Sequence, residues 1–360
     1  MKTMLGFFML ISCQAFALLG QAKQQTESVT IAFYNLENLF DYEDDPKTFD
    51  DDRTPHGKDL WTKLKYTRKL ANMASVIRDI GPKHENSPPV IIGVCEIENR
   101  RVVNDLIKTE ALAPYRYDFV HFDSPDRRGI DVALLYRKDQ FRPIESKKIA
   151  VFIYDRETPA RRIFTRDQLL VYGLLENEPI YVLVNHWPSR SSGEESSAYR
   201  RHAAAKVTKR VKDSIIDRDP KAKIIIMGDF NDNPDDLSIK EVLNTCSKIN
   251  DLTPKSLYNP MANLYNLGYG SLAFNDRWFL FDQILVTKSL INSQDGQWRM
   301  FKSGIYNPPY LQQPYGPYRN YPFRSVQNGR FTGGYSDHFP AYIQLMRRRP
   351  NALVTPLLPR

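Results

Sequence analysis

The side chains able to do chemistry fall in short clusters along the chain. Gly228-Asp229-Phe230-Asn231 and Ser336-Asp337-His338 are the sharpest, each placing a carboxylate beside an amide or an imidazole. Asn185-His186-Trp187-Pro188 carries a second histidine, and Cys95-Glu96-Ile97-Glu98 carries two carboxylates at alternate positions. Asn35, Glu37 and Asn38 form another group, as do Arg128-Gly129-Ile130-Asp131 and Phe281-Asp282-Gln283. One such cluster has an ordinary explanation, because Asn and Asp cap helices and close turns. A whole series in one chain calls for a joint one. Carboxylates, amides and two imidazoles together can hold a hard cation, orient water and move protons, which is the equipment of metal-assisted hydrolysis.

What would gather the clusters is their common place at strand ends. Runs rich in Val, Ile and Leu predict strands over 29–34, 90–95, 131–136, 169–174, 180–185, 223–227, 283–286 and 341–345. Each cluster lies at the edge of one of these runs, where open α/β sheets place their sites. Helical spacing predicts helices over 64–80 and 203–215, with shorter ones over 98–109 and 237–246. Strands and helices alternate without a Gly/Ser-rich linker, so one α/β domain is expected. Two stretches interrupt the pattern: an acid-rich loop over 42–59, and 301–334, dense in Pro, Tyr, Arg and Gly. Long irregular segments of this kind are often functional.

Of the 360 residues, 42% are hydrophobic and 26% charged, which excludes wholly disordered, collagen-like and coiled-coil chains. Three cysteines exclude a disulfide scaffold. The 50 Lys and Arg exceed the 42 Asp and Glu, and the net charge of +8 suits a polyanionic partner. The N-terminus has the layout of a secretory signal: Lys2, an apolar run over 4–19 and small residues in Gly20-Gln21-Ala22. We therefore expect a signal peptide over 1–22, a domain over 23–346 and a basic tail over 347–360. The protein would be exported, to the periplasm or beyond the cell. Leu10-Ile11-Ser12-Cys13 resembles a lipoprotein box, so lipid anchoring through Cys13 ranks second. No later run is long and apolar enough to span a membrane. After cleavage only Cys95 and Cys246 remain, as a disulfide or as packed thiols.

In order, the clusters read Tyr-Asn-Leu-Glu-Asn-Leu-Phe-Asp, Cys-Glu-Ile-Glu-Asn, Arg-Gly-Ile-Asp-Val-Ala, Asn-His-Trp-Pro-Ser-Arg, Gly-Asp-Phe-Asn-Asp, Phe-Asp-Gln-Ile and Ser-Asp-His-Phe-Pro. From about residue 29 to 345 the series resembles the endonuclease/exonuclease/phosphatase superfamily, the DNase I-like proteins. The resemblance implies a four-layer α/β sandwich, two packed β-sheets flanked by helices. It implies a divalent-metal-dependent phosphodiesterase, with Mg²⁺ first and Mn²⁺ or Ca²⁺ as alternatives. A nuclease acting on DNA or RNA leads. Another phosphoester, such as sphingomyelin or an inositol phosphate, is the second substrate class. A binding protein with a dead site is disfavoured, because the site residues are all present. A monomer is expected.

By the same match, Glu96 is the main metal ligand and Asp337 completes the metal site. Asn35 would hold the metal shell or a phosphate oxygen. Asp229 would orient or deprotonate the attacking water, and Asn231 would donate to the phosphate. His186 and His338 match the histidine pair, and Asp282 the carboxylate that fixes the tautomer of His338. Asp131 is the candidate partner of His186. Apurinic endonucleases of the superfamily tend to carry an amide where this chain has His186, so the histidine points to the DNase I, sphingomyelinase and phosphatase branches. Arg128, Arg166 and Arg190 are candidates for phosphate, which guanidinium pairs in bidentate fashion. Glu98 reads as a helix-start residue, Asp232 as a turn residue, and His56, His84, His121 and His202 as non-catalytic.

Overall fold

The structure is a computed structural model that describes residues 26–82 and 87–348. The leader expected over 1–22, Cys13, His84 and the chain beyond 348 lie outside the described residues. In chain order the first strands are Thr26–Leu39 (β1), Ile91–Ile97 (β2), Tyr117–His121 (β3), Asp131–Arg137 (β4) and Phe141–Ile149 (β5). Gln168–Leu175 (β6), Glu178–His186 (β7) and Ile224–Asp229 (β8) follow. The last are Thr245–Cys246 (β9), Leu257–Tyr258 (β10), Asp282–Thr287 (β11), Arg299–Ile305 (β12) and Ala341–Arg348 (β13).

They make two mixed sheets, in the orders β12-β13-β1-β2-β4-β3 and β9-β10-β11-β8-β7-β6-β5. Each is centred on a parallel pair, β1 with β2 and β7 with β8, flanked by antiparallel strands. The central strands are buried on both faces, which is why they show in the sequence as unbroken apolar runs. The sheets pack face to face. A Cβ on Gly93 of β2 would lie 2.5 Å from the Met227 sulfur of β8, so the layers meet closely where β2 has no side chain. Helices Lys63–Asp79 (α1) and Arg100–Ile107 (α2) add Leu70, Met73, Ile77, Val102 and Leu106 to this core. Helix Glu194–Arg218 (α3) covers the far face of the second sheet, where Ala204, Ala205 and Ile215 meet Leu183, Ile224 and Ile226. The result is the expected four-layer sandwich of helix, sheet, sheet and helix. Burying each large aliphatic side chain contributes about 1.5–3 kcal/mol, so these two layers dominate the fold's stability.

The register does the work for the site. Asp229, the last residue of β8, lies opposite His186 on one neighbouring strand and Asp282 on the other. Residues opposite one another share a sheet face, and alternation puts these three with Met227, Val184 and Ile284, which point into the inter-sheet layer. The end of one sheet therefore presents two carboxylates and an imidazole toward the other.

Several local expectations change. The segment 237–246 is one π-helical turn, Ser238–Val242, not a helix; Asn244 adopts a left-handed φ of 61° and the chain passes into β9. Glu98 lies just outside α2, because Asn99 is the N-cap and accepts the Arg101 and Val102 N–H groups. Strands β3, β5 and β12 were not expected. β3 and β5 form sheet edges, and β5 carries exposed Glu145, Lys147 and Lys148 in place of an apolar run. The last strand continues through Arg348, and Arg347 stacks on Trp298 at 4.4 Å and pairs with Glu27. Arg347 and Arg348 thus belong to the sheet, not to a tail. Cys95 and Cys246 are both free thiols. Among the described residues no helix is long and apolar enough to cross a membrane.

Candidate active site

The second sheet supplies one wall. Gly228 is required there, because a Cβ would lie 2.5 Å from the Asn185 carbonyl oxygen of the adjacent strand. Asn185 itself is structural: its Oδ1 accepts from Trp187 Nε1 and Thr208 Oγ1, locking the end of β7 to α3. Asp229 Oδ1 accepts the Asn231 N–H at 2.9 Å, and its Oδ2 accepts from Asn35 Nδ2 at 3.1 Å. Asn231 adopts a left-handed φ of 51°, a conformation asparagine tolerates, and its Nδ2 donates to the Trp187 carbonyl at 3.1 Å. Burial pushes the Asp229 carboxyl up to about 7, with His338 opposing and Asp282 and Glu96 reinforcing.

His338 reaches the same point from the other sheet. Ser336 Oγ donates to the Asn35 carbonyl at 2.8 Å and accepts the His338 N–H at 3.1 Å, fastening this segment to the end of β1. His338 Nδ1 lies 2.6 Å from Asp282 Oδ2, and its Nε2 lies 3.9 Å from Asp229 Oδ2. Burial works against charge on this ring. Asp282 and then Asp229 outweigh it and hold the imidazolium well above the ordinary histidine range. His186 is the opposite case. Its Nε2 lies 3.7 Å from Asp229 Oδ2 and 3.8 Å from Glu96 Oε1, while its Nδ1 is buried without a partner. Burial, then Arg166 and Arg128, drives its pKa well below the ordinary range.

Asp131 is not the partner of His186. Its Oδ2 lies 2.9 Å from His121 Nε2, and its Oδ1 accepts from Ser124 Oγ at 2.5 Å. Antiparallel pairing of β3 with β4 brings His121 beside Asp131, so both carboxylate oxygens are engaged within the first sheet. His121 is accordingly a buried strand residue.

The first sheet's wall is strained. Glu37, Asn38 and Glu96 have left-handed φ values of 48°, 52° and 58° where the β1–β2 register slips. Such non-glycine residues cost about 1–3 kcal/mol each and cluster at functional sites. The bulge turns Glu96 so that its Oε2 accepts the Asn38 N–H at 2.9 Å and its Oε1 accepts from Asn35 Nδ2 at 3.3 Å. Asn35 Oδ1 is taken by the Glu37 N–H at 2.9 Å. Asn35 therefore presents its NH₂ to Glu96 and Asp229 and turns its oxygen away, bracing the two carboxylates.

Glu37, grouped with Asn35 in the sequence, and Arg324 had no role assigned to them there. Glu37 is buried and accepts from the Ser325 N–H and Oγ, both at 2.6 Å, and from Arg324 Nε at 3.2 Å. Arg324 Nη2 then donates to Asp337 Oδ2 at 3.1 Å. Lys69, fully buried, stands 3.7 Å from Glu37, and burial lowers its pKa to about 8. The visible signal was Glu37 two residues beyond Asn35; Arg324 lies in a loop with no periodicity to mark it.

The Endonuclease/Exonuclease/phosphatase family profile matches residues 30–347. The chain belongs to this family. No curated protein matches it. Among solved structures it is similar to TDP2 of D. rerio, humanized by 14 mutations, at 14% identity and TM-score 0.54, covering 88% of this chain and 98% of that one. It is similar to an endonuclease/exonuclease/phosphatase family protein of Bacteroides thetaiotaomicron at 18% identity and TM-score 0.53, with 89% and 98% covered. A mannosyl-6-phosphatase of Bacteroides thetaiotaomicron aligns at 17% identity and TM-score 0.52, with 88% and 99% covered. At these identities the likeness is one of fold.

As a member of this family the protein is a metal-dependent phosphoric ester hydrolase, and its donor set fits that chemistry. Cys95, His186 and Asp229 converge, as do Asp229, Asp282 and His338, so Asp229 joins both groups. Glu96 accepts from two neutral amides and lies 3.8 Å from His186 Nε2, and Asp337 is partly exposed beside Arg324. Carboxylate oxygens of this kind suit a hard divalent cation. The three arginines expected to bind phosphate differ. Arg166 is buried, with Asp126 at 3.0 Å and the Trp187 carbonyl at 2.5 Å. Arg190 is held by Asp232 at 2.8 Å and Asp236 at 2.5 Å and lies over the Phe281 ring. Asp232, buried and also paired with Arg201 at 2.6 Å, is the hub of that network rather than a turn residue. Arg128 approaches Asp126 at 3.4 Å, but its side chain alone of the three is about half exposed.

Proposed function

We propose that the protein is an exported, Mg²⁺-dependent phosphodiesterase that hydrolyses nucleic acid. The observation that carries this reading is the meeting, between the sheet ends, of His338, His186 and Asp229, with both ring Nε2 atoms within 3.9 Å of the Asp229 carboxylate. Held by Glu96 and Asp337, the cation would neutralise the phosphate and polarise its oxygen. Asp229, steadied by Asn35 and the Asn231 N–H, takes a proton from the attacking water. His338, kept charged by Asp282, donates its Nε2 proton to the leaving oxygen. His186, kept neutral, offers an uncharged ring nitrogen to the phosphoryl group. Arg128 pairs a phosphate oxygen from the rim.

TDP2 of D. rerio is described in complex with a single-strand DNA product, and a similar fold serves a mannosyl-6-phosphatase. This chain's own surface favours nucleic acid: its net charge is +8, and Arg128 is exposed beside the site. Export rests on the leader over 1–22, with anchoring at Cys13 as the alternative route. The test is hydrolysis of plasmid DNA, RNA, sphingomyelin, a sugar phosphate and an aryl phosphodiester, each with Mg²⁺, Mn²⁺, Ca²⁺ or EDTA. Nucleic acid should be cut with Mg²⁺ and spared with EDTA. Cleavage of lipid or sugar phosphate alone overturns the substrate, and no metal-dependent cleavage overturns the activity.

A further inference from the structure

Beside the site lies a pocket whose aromatic and amide lining none of these roles uses. We propose that it is a nucleobase subsite, which seats the base of the nucleotide bearing the reacting phosphate; this rests on the phosphodiesterase reading above. The pocket holds about 210 Å³ and opens between the hairpin Leu272–Phe274/Arg277–Phe279 and the loop around 313–328. Arg324 and Asp337 form the wall it shares with the site, so whatever fills it is joined to the group that reacts.

Its lining states the ligand chemistry. Phe274 is 64% exposed and Tyr318 49%, so both keep ring surface that no core packing covers. Aromatic faces of this kind stack bases regardless of sequence. The polar lining is amide: Asn275, Gln313, Gln327 and Asn328. Each amide offers donors and an acceptor together, as the edge of a base does. Arg324 and Asp337 pair with each other, and no other lining side chain is charged. The pocket therefore suits a flat, neutral, hydrogen-bonding ring and not a second anion.

The pocket is also rigidly indexed to the chemistry. Ser271, at the hairpin base, accepts the Phe339 N–H on its carbonyl at 2.7 Å and the Asp282 N–H on its hydroxyl at 3.2 Å. Trp278 stacks on Phe339 at 6.1 Å, and Tyr321 donates to Asp276 at 2.8 Å. A base seated here is held in fixed relation to His338 and its partner Asp282.

The experiment titrates the Mg²⁺-loaded full chain calorimetrically with deoxyadenosine 5′-monophosphate and with deoxyribose 5-phosphate, which differ only in the base. The nucleotide should bind about tenfold tighter, on the scale of one base stacked on aromatic side chains. The double variant Phe274→Ala/Tyr318→Ala should remove that preference and leave deoxyribose 5-phosphate binding unchanged, while Phe274→Tyr should retain it. Gln327→Ala should weaken only the nucleotide and gives a second arm if the double variant does not fold. Equal affinities in the wild type, no binding of either, or a preference that survives these substitutions overturns the proposal. A protein that cuts nucleic acid yet binds both ligands equally loses the subsite and keeps the phosphodiesterase reading. One that prefers the nucleotide but cuts no nucleic acid does the reverse.

Discussion

His338 and His186 flank one carboxylate, Asp229, at 3.9 and 3.7 Å, and both rings are buried. Their surroundings drive their pKa values in opposite directions. His338 has Asp282 against its second nitrogen at 2.6 Å, whereas His186 has no partner on its Nδ1 and has Arg166 and Arg128 nearby. Burial alone would discharge both, by as much as about 3–5 pKa units for a fully buried group. One opposite charge at close range returns about 1–3 units, so Asp282 at 2.6 Å from His338 can outweigh burial where Asp229 and Glu96, at 3.7 and 3.8 Å from His186, do not. The function of each ring is thus decided by what touches the nitrogen facing away from the substrate.

Removing a ring is the heaviest blow to this contrast. His338→Ala or Asp229→Ala should cut turnover at least about 100-fold, the scale of lost acid–base help, and a loss under about threefold at both would strip them of these roles. Asp282→Asn is the sharper probe, since it leaves His338 in place but takes away its main charge partner. The alkaline limb of the rate profile should move about 1–3 pH units toward acid, and an unmoved limb would break the comparison. The same pair links stability to pH. Because the folded His338 pKa is raised, its contribution is complete below about pH 6.5 and fades as pH rises through the folded value, so Asp282→Asn should flatten that dependence in denaturant titrations.

Arg190→Ala should act on stability alone. It takes one partner each from the buried Asp232 and from Asp236, costs about 1–3 kcal/mol in unfolding free energy, and changes kcat/KM less than about threefold. The smallest effect belongs to Asp131→Asn, which should leave turnover within about threefold because Asp131 serves His121. A loss near that of His338→Ala would restore Asp131 as the partner of His186.

The parts of the site legible in the sequence were those fixed by register. Asp229, His186 and Asp282 sit at the ends of buried, unmistakably apolar strands, and their pairing follows once those strands neighbour one another. Edge strands such as β5 escaped because one side is solvated and the apolar run disappears. Asp131 was misassigned because residue spacing does not say which sheet a strand joins. Arg166 and Arg190 looked like phosphate ligands because composition counts guanidinium groups without their carboxylate partners. The Glu37–Arg324 contact spans 287 residues and exists only in the folded chain. The direction in which Asn35 turns its amide is set by the local bulge, which no side-chain pattern announces.

Nitrogen-15 shifts of the histidine rings in the full, metal-free chain test the charge contrast directly. At about pH 6.5, where a free imidazole is half protonated, His338 should carry both ring protons and His186 only one. Two half-protonated rings, or a charged His186 beside a neutral His338, would contradict it.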